Sequence, residues 1–299
     1  MSVLTAYYNL IPITLLQGVI YAFVALAIMI PFRVLSFPDL TAEGSFPLGA
    51  SVTAAALAAG SDPVSATMLA LLAGFAAGAT TAIIHRVFRL NTLLCGILVV
   101  TMLYSIDIRI MGKPNIPLFT YEDLFSISLG DYSRLLSARI VAVTACVVIC
   151  TIALYCFLKT EMGLALRAVG ASQSMARAQG LSISYYVIFG IGLAGALSAI
   201  GGSILAQNQS FADVNMGFGV LVNGLAALIV GEQLIGRQSL ARQLAAPLVG
   251  AVVYYQVVSF ALALGLQPSD LKLLTGLFVL ILLGLPLLKG RAGRPDALA

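Results

Sequence analysis

Charged side chains are scarce in this sequence. Asp, Glu, Lys and Arg account for only 9% of its 299 residues, whereas hydrophobic residues account for 60%. Soluble globular proteins contain about 25% charged residues, so this composition excludes that class. The mean hydropathy of +1.03 points the same way. The sequence therefore predicts an integral membrane protein.

Motifs for nucleotide hydrolysis and for acyl hydrolysis are absent. The sequence has no G-x-x-x-x-G-K-[ST] loop, no G-x-S-x-G and no H-E-x-x-H, and its only histidine is His85. Without these arrangements we expect no catalytic residue, no bound cofactor and no ATP hydrolysis by this chain. The net charge of +4 gives no reason to expect a nucleic-acid partner.

Cysteine is rare, and the four cysteines do not indicate a disulfide framework. Cys146 and Cys150 lie four residues apart, on one face if the segment is helical, which would allow a thiolate metal site. No histidine or carboxylate accompanies them in that apolar run. The favoured interpretation is therefore a pair of small buried hydrophobic residues, and we expect no metal site.

Long apolar runs, in contrast, are abundant. A bilayer core of about 30 Å requires roughly 20 apolar residues per helix. Eight continuous runs are of about that length: residues 10–32, 64–84, 90–106, 140–158, 181–206, 214–231, 244–266 and 273–288. Their continuity favours helices over the short alternating strands of a barrel.

A ninth run, residues 37–59, contains Asp39, Glu43, Pro47 and two glycines. We interpret it as a broken or re-entrant helix. The predicted fold class is all-α: a polytopic transmembrane helical bundle of about 8–10 helices, with one broken segment and a weak pseudo-repeat of its two halves. Residues 1–299 are expected to form a single domain.

Basic residues concentrate in alternate loops, and cytoplasmic loops are the ones that carry excess Lys and Arg. One set of loops holds 11 of the 16 basic residues: Arg33, Arg86, Arg89, Lys159, Arg167, Arg177, Arg237, Arg242, Lys289, Arg291 and Arg294. The other set holds most of the acids, including Asp107 and Asp213. We therefore expect a multi-pass protein of the plasma membrane with its N-terminus outside and its C-terminus in the cytoplasm. The N-terminus lacks the basic region of a signal peptide, so the first span should be retained.

Small residues recur at helical spacing. The segment 190–195 fits G-x-G-x-x-G, but it lies inside an apolar run with no preceding strand, so a dinucleotide site is excluded. Gly74 and Gly78, and the series Ala194, Ser198 and Gly202, have the spacing that lets membrane helices approach closely. We expect helix packing at these positions.

Polar residues within apolar segments indicate a transport pathway, because charges at membrane depth are costly and usually face a cavity. Asp39 and Glu43 lie four residues apart, and residues 211–218 form a weak echo of that segment in the second half. Paired interrupted segments point to the site of a transporter. The candidate pathway residues are Asp39, Thr41, Glu43, Asn208, Asp213, Asn215 and Asn223. Alternatively, Asp39 only caps a helix and Asp213 lies in an outer loop.

Three segments carry a family resemblance: DLTAEGSFPLGA at residues 39–50, the segment NTLLCGILVVTMLYSIDIRIMGKPNIPL at residues 91–118, and GLALRAVGASQSMARAQGL at residues 163–181. Together they resemble the permease subunits of bacterial ABC importers of the branched-chain amino acid, ribose and simple-sugar type. The second segment looks like the subgroup linked to tryptophan, tyrosine or related amino-acid-like solutes.

The third segment resembles the cytoplasmic loop, here about residues 160–182, that docks the ATPase in this family. The resemblance assigns ATPase coupling to Glu161, Gly163, Leu166, Arg167, Ala168, Val169, Gly170, Ala176, Arg177 and Gly180. On one helix, the residues Leu164, Ala168, Ala171, Met175 and Ala178 would form a shallow apolar stripe suited to a protein groove. We expect turns at Gly170 and Gly180. The alternative is an amphipathic helix on the lipid surface.

Further partners follow from the resemblance. It implies a dimer with a second permease copy, cytoplasmic ATPase subunits that bind the ATP, and an extracytoplasmic solute-binding protein that docks on the outer loop near residues 112–137. The implied function is import of a small polar solute, an amino acid or a similar molecule. Two alternatives remain: an ion-coupled secondary transporter that uses Asp39, Glu43 or Glu232, and a membrane scaffold or enzyme without transport.

Overall fold

The chain folds as a bundle of helices. The computed structural model describes residues 3–130 and 135–265, together with 270, 273, 275–277 and 280. This part of the chain contains eleven α-helices and two short strands: α1 (Val3–Met29), α2 (Thr41–Ala58), α3 (Pro63–Phe88), α4 (Thr92–Met111), β1 (Asn115–Pro117), α5 (Leu124–Leu129), α6 (Leu136–Lys159), α7 (Glu161–Ala171), α8 (Gln173–Ala178), α9 (Ile183–Gln209), β2 (Phe211–Asp213), α10 (Val220–Ile235) and α11 (Leu240–Ala263). A π-helical segment, Ile30–Val34, continues α1, and a 3-10 turn, Val214–Gly217, precedes α10.

Seven helices in the described residues are long and apolar enough to cross a membrane. They correspond to seven of the eight apolar runs and confirm the polytopic helical bundle. The eighth run, residues 273–288, lies largely outside the described residues. The α4 span is longer than expected, because the helix continues past residue 106 to Met111.

The interpretation of residues 37–59 as a broken helix is wrong in one respect. Thr41–Ala58 is an uninterrupted α-helix of 18 residues that includes Pro47 and both glycines. The irregular backbone instead lies between the π segment and α2, where Ser36 has a positive φ of 50°. Neighbouring helices explain the continuity, because a membrane helix tolerates proline and glycine where it is enclosed by protein. Most residues of α2 are buried.

Close contacts between small residues hold α9 against α2 and α3, as the glycine spacing predicts. Gly74 of α3 lies directly against Gly195 of α9, and Gly78 lies against the backbone of Ile191. On the other side of α9, Gly202 lies against the backbone of Phe46, and the Ser198 hydroxyl donates a 2.7 Å hydrogen bond to a carbonyl of α2. Dispersion contacts between closely approaching backbones replace the hydrophobic effect within a membrane.

The bundle has two chemically different ends. At the first, which we call the basic end, Arg33 and Arg237 both contact Glu232, and α7 lies against the end of the π segment. At the second, the strand end, β1 pairs with β2 in antiparallel fashion, with Asn115 opposite Asp213. The helices α1 and α9 are mostly buried, whereas α4 and α6 are mostly exposed. The exposed face of α4 therefore lies on the outside of the bundle.

Candidate functional site

Glu43 links the two polar segments that the sequence singled out. Its Oε1 accepts a 2.8 Å hydrogen bond from the backbone N–H of Gly219, the residue that caps the start of α10. Gly219 has a left-handed φ of 84°, which glycine adopts without strain. A carboxylate at this position also interacts favourably with the positive end of the α10 dipole. Gly219 directly follows the segment 211–218, and Gly217 within that segment also lies against the Glu43 backbone, so the two polar segments are in contact.

A pocket of about 180 Å³ lies beside this contact, between α2, α4 and the 3-10 turn. Its lining residues are Glu43, Gly44, Pro47, Val100, Tyr104, Asp107, Val214, Asn215, Gly217 and Phe218. Two of them, Glu43 and Asn215, are predicted pathway residues. The close seating of Gly217 on the Pro47 ring fixes the wall formed by the turn, because a β-carbon at 217 would collide there.

Asp107 is the lining residue that the sequence analysis missed. It is completely buried, and neither carboxylate oxygen has a hydrogen-bond partner among the described residues. The Ser51 hydroxyl interacts with the Asp107 carboxyl group but does not reach hydrogen-bond geometry with it. Leaving a carboxylate buried without a partner costs several kcal/mol, on the order of the charge-insertion penalty. Such a cost is typical of functional positions in membrane proteins.

The sequence-based placement of Asp107 among the outer-loop acids is therefore wrong, because the residue lies within α4. A signal for this burial exists in the sequence. Four-residue spacing connects Val99, Leu103, Asp107 and Met111, which would fall on one helix face, and all four are buried.

Asp39 and Thr41 lie apart from the pocket. The Asp39 Oδ1 accepts hydrogen bonds from the Thr41 backbone N–H at 3.0 Å and from the Thr41 hydroxyl at 2.6 Å. The Thr41 hydroxyl is also 2.7 Å from the Thr81 hydroxyl on α3. Burial raises the pKa of Asp39 to about 6, against the opposing effect of the Thr41 hydrogen bonds. These contacts agree with the alternative in which Asp39 fixes the start of α2.

The remaining predicted pathway residues have partners elsewhere. Asp213 accepts from the Asn115 side chain at 3.1 Å and from the Asn215 backbone N–H at 2.7 Å, so it caps the 3-10 turn. Asn208 accepts from Arg139 at 3.5 Å, and Asn223 accepts from the Tyr254 hydroxyl at 3.1 Å. The structure does not bring these three residues to the pocket.

The predicted coupling segment forms two helices, not one. α7 ends at Ala171, and Ser172 adopts an extended conformation and caps α8 by accepting a hydrogen bond from the Met175 backbone N–H at 3.3 Å. The predicted single stripe from Leu164 to Ala178 is therefore wrong as one continuous helix face. Leu164 and Met175 are nevertheless both exposed, at 53% and 66%.

The two faces of α7 have different environments. Leu166 and Val169 are buried against the bundle, as is Ala176 of α8. Gly163 lies against the backbone of Leu158. These coupling candidates therefore contact their own chain, which means that they can act on a partner only through the position of the helix.

Gly170 also faces the bundle, and it differs from the expected turn. It is helical, and its close contact is with the Val34 carbonyl at the end of the π segment. Gly180, in contrast, has a left-handed φ of 79° and matches the predicted turn.

The outer face of this segment is charged and accessible. Glu161, Arg167 and Arg177 are exposed, and Ala168 is half-buried beside them. Within the described residues, neither guanidinium makes an ion pair in the same chain. This face can therefore bind acidic groups of another molecule.

Glu232 does not offer an unpaired carboxylate for ion coupling. Its side chain is 4% exposed, and Arg33 binds both of its oxygens at 2.8 Å. Arg237 contacts Oε2 at 2.6 Å. A carboxylate held by two guanidinium groups is fixed in position.

Comparisons with known proteins agree on one family. Residues 10–284 match the family described as branched-chain amino acid transport system / permease component. The chain is 42% identical over 267 residues to the tyrosine transport system permease protein of Clostridioides difficile, covering 89% of this chain and 88% of that protein. It is 33% identical over 277 residues to an uncharacterised protein of Rickettsia prowazekii, covering 91% of this chain and 96% of that protein. No solved structure is significantly similar to the chain.

Proposed function

Because this chain belongs to the family of permease components of branched-chain amino acid transport systems, we propose that it carries an amino acid or a similar solute into the cytoplasm as the membrane-spanning subunit of an ABC importer. The observation that supports this solute class most directly is the 42% identity to a tyrosine transport permease, over nearly the whole length of both chains. The solute would arrive from an extracytoplasmic binding protein.

Energy for transport would come from ATPase subunits that dock on α7 and α8. The chain itself has no nucleotide-binding loop, so ATP would be bound by the partner. The exposed Arg167 and Arg177 provide positive charges for acidic groups of that partner. The opposite face of α7 is buried against the π segment, α6 and α9, so that a displacement of α7 acts on helices of the bundle.

The basic end would face the cytoplasm of a bacterial cell, in its inner membrane. Arg33, Arg167 and Arg237 all lie at that end, and cytoplasmic loops carry the excess of basic residues. The N-terminus would then be outside and the C-terminus, which is not among the described residues, inside. At the opposite end, the pairing of β1 with β2 and the 3.3 Å ion pair between Arg139 and Asp123 make the loop after α4 a firm surface for the solute-binding protein.

A second copy of the permease would complete the pathway. Tyr104 and Phe218, which line the pocket, are 48% and 73% exposed, so no described residue forms an outer wall of the pocket. A two-fold symmetric dimer joined along this side would bring two such pockets together on one axis. A homodimer is the simplest assembly that does so.

Reconstitution tests this function. The permease is placed in liposomes with and without its cognate ATPase subunit, and uptake of labelled L-tyrosine is measured after the cognate binding protein is added outside and ATP is enclosed. We expect uptake only when both ATPase and ATP are present. The unpaired Asp107 favours an ion-coupled transporter as the second candidate. Uptake driven by a proton or sodium gradient without the ATPase would establish that candidate and refute the importer.

A further inference from the structure

We propose that the pocket between α2, α4 and the 3-10 turn binds the ammonium group of the transported solute, with Asp107 as its direct partner. This inference rests on the proposed function, because it assumes that the pocket belongs to the transport pathway. It adds a specific chemical requirement: the solute must present a cationic amine within the membrane-spanning part of the permease.

The acidic lining of the pocket is the first observation that favours an ammonium group. Asp107 and Glu43 are the only carboxylic acids among its described lining residues, which include no Lys, Arg or His. An acid buried without a cation beside it is costly to ionise, and a positively charged ligand would remove that cost. The described lining therefore offers a solute anion no positive partner, whereas it offers an ammonium group two acids.

The absence of hydrogen-bond donors to Asp107 among the described residues is the second observation that favours an ammonium group. A fully buried carboxylate normally has donors for its oxygens, yet both oxygens of Asp107 lack them. Glu43 differs, because its Oε1 already accepts from Gly219. An ammonium group brings three N–H donors and a positive charge, which are what the Asp107 carboxylate lacks.

The rest of the lining indicates the remainder of the solute. Pro47 and Val100 provide apolar surface, and the aromatic rings of Tyr104 and Phe218 lie at the exposed side of the pocket. The volume of about 180 Å³ is below the roughly 300–1,000 Å³ of pockets for drug-sized ligands. The pocket therefore fits the amine and the apolar or aromatic side chain of a small solute.

A metal cation fits the site less well. Hard cations such as Ca²⁺ take six to eight oxygen ligands, and Mg²⁺ demands near-ideal octahedral geometry. The described residues contain no group of three or more potential ligands from His, Cys, Asp and Glu. We therefore assign the site to an organic ammonium group.

The test uses a hydrophobic carbodiimide, a reagent that modifies buried carboxyl groups, on the wild-type permease–ATPase complex in proteoliposomes. Peptide mass spectrometry measures the rate of modification at Asp107 in the presence of one of two probes. Tyramine has an amine and no carboxylate, whereas 3-(4-hydroxyphenyl)propionate has the carboxylate and no amine. We expect tyramine to slow the modification of Asp107 and the propionate to leave it unchanged.

Two variants complete the experiment. Glu43→Gln removes one negative charge from the pocket, and the tyramine concentration needed for protection should rise at least about tenfold. Asp39→Asn removes a buried carboxylate outside the pocket and should leave protection unchanged. Equal protection by both probes, or no protection by tyramine, would overturn the ammonium site.

The same vesicles separate this inference from the proposed function. ATP-dependent uptake of tyrosine without amine protection of Asp107 would refute the site and leave the importer intact. Amine protection together with uptake that needs no ATPase would refute the importer and leave the site.

Discussion

Gly170 of α7 lies directly against the main-chain carbonyl of Val34, at the end of the π segment. The preceding residue, Arg33, is held by Glu232 of α10. The end of α1 thus connects the proposed ATPase-docking helix with the helix whose first residues contact Glu43. A displacement of α7 can reach the pocket through these two contacts without passing through a flexible linker.

The seating of Gly170 predicts that even one added methyl group is destabilising. A β-carbon at this position would lie 2.7 Å from the Val34 carbonyl carbon and 2.9 Å from the Leu35 Cα. Alanine favours helices over glycine by about 1 kcal/mol, but overpacking against backbone costs about 1–3 kcal/mol, so the clash should prevail. Gly170→Ala should therefore lower the thermal stability of the purified permease.

The matched control for Gly170 is Ala171→Val, which adds bulk to an exposed position of the same helix. Thermal unfolding in detergent should show little change for this variant. If Gly170→Ala is as stable as the wild type, the close seating of α7 on the π segment is incorrect.

The cluster around Glu232 predicts an order of stability among arginine variants. Arg237 is 52% exposed, so Arg237→Ala should cost less than about 1 kcal/mol. Arg33→Ala removes two hydrogen bonds to a buried carboxylate and should cost more. The double variant leaves Glu232 buried without a charge partner and should cost about 3 kcal/mol or more.

The control for this series is Arg242→Ala, because the Arg242 side chain is exposed and its guanidinium group bonds only to Gln238 among the described residues. Chemical denaturation of the purified variants measures the order. Adding Glu232→Gln to the double variant should restore part of the lost stability, since it removes the unpaired charge. A double variant that is no less stable than Arg237→Ala would show that the two arginines do not stabilise the buried Glu232 carboxylate.

The raised pKa of Asp39 predicts that the stability of the protein falls as the pH rises. Its pKa in the folded protein is about 6, above the ordinary value of 3.8, because it is buried. Its contribution to stability is therefore fully present below pH 3.8 and is lost as the pH rises through about 6. Asp39→Asn, which resembles the protonated acid and still accepts the Thr41 hydrogen bonds, should remove this loss.

Measurement of thermal stability across this pH range checks the Asp39 prediction. The advantage of Asp39→Asn over the wild type should grow between pH 4 and pH 6.5, whereas Asp39→Ala should be less stable than Asp39→Asn throughout, by about 1–3 kcal/mol, because it loses the acceptor. An advantage that does not change with pH would contradict the assignment.

The helices and their closest contacts could be predicted because they follow from local patterns. Apolar runs of about 20 residues specify spans, and the four-residue spacing of Gly74 and Gly78 specifies where α3 meets α9. A relationship between the Glu43 segment and residues 211–218 was also within reach, because both segments combine polar residues with glycine in an apolar setting, whereas the hydrogen bond to Gly219 was not.

The burial of individual side chains and the break within the coupling segment could not be predicted, because they depend on contacts between distant parts of the chain. Asp107 was missed because it lies close to Arg109 at the end of an apolar run. Two charged residues at that place resemble the start of a loop until the length of α4 is known. Similarly, the division of the coupling segment at Ser172 depends on a side-chain cap, and the inward direction of Leu166 and Val169 depends on what α7 packs against. Tertiary contacts decide these points.

The most direct test of the account is photo-cross-linking of the permease to its ATPase subunit in native membranes. A photoreactive benzoylphenylalanine is placed at Met175 of α8, which is exposed at the basic end, and separately at Thr120, which is exposed at the strand end. Docking of the ATPase on α7 and α8 predicts a light-dependent adduct from position 175 and none from position 120. An adduct from position 120, or none from either position in an assembled complex, would contradict the docking of an ATPase on α7 and α8.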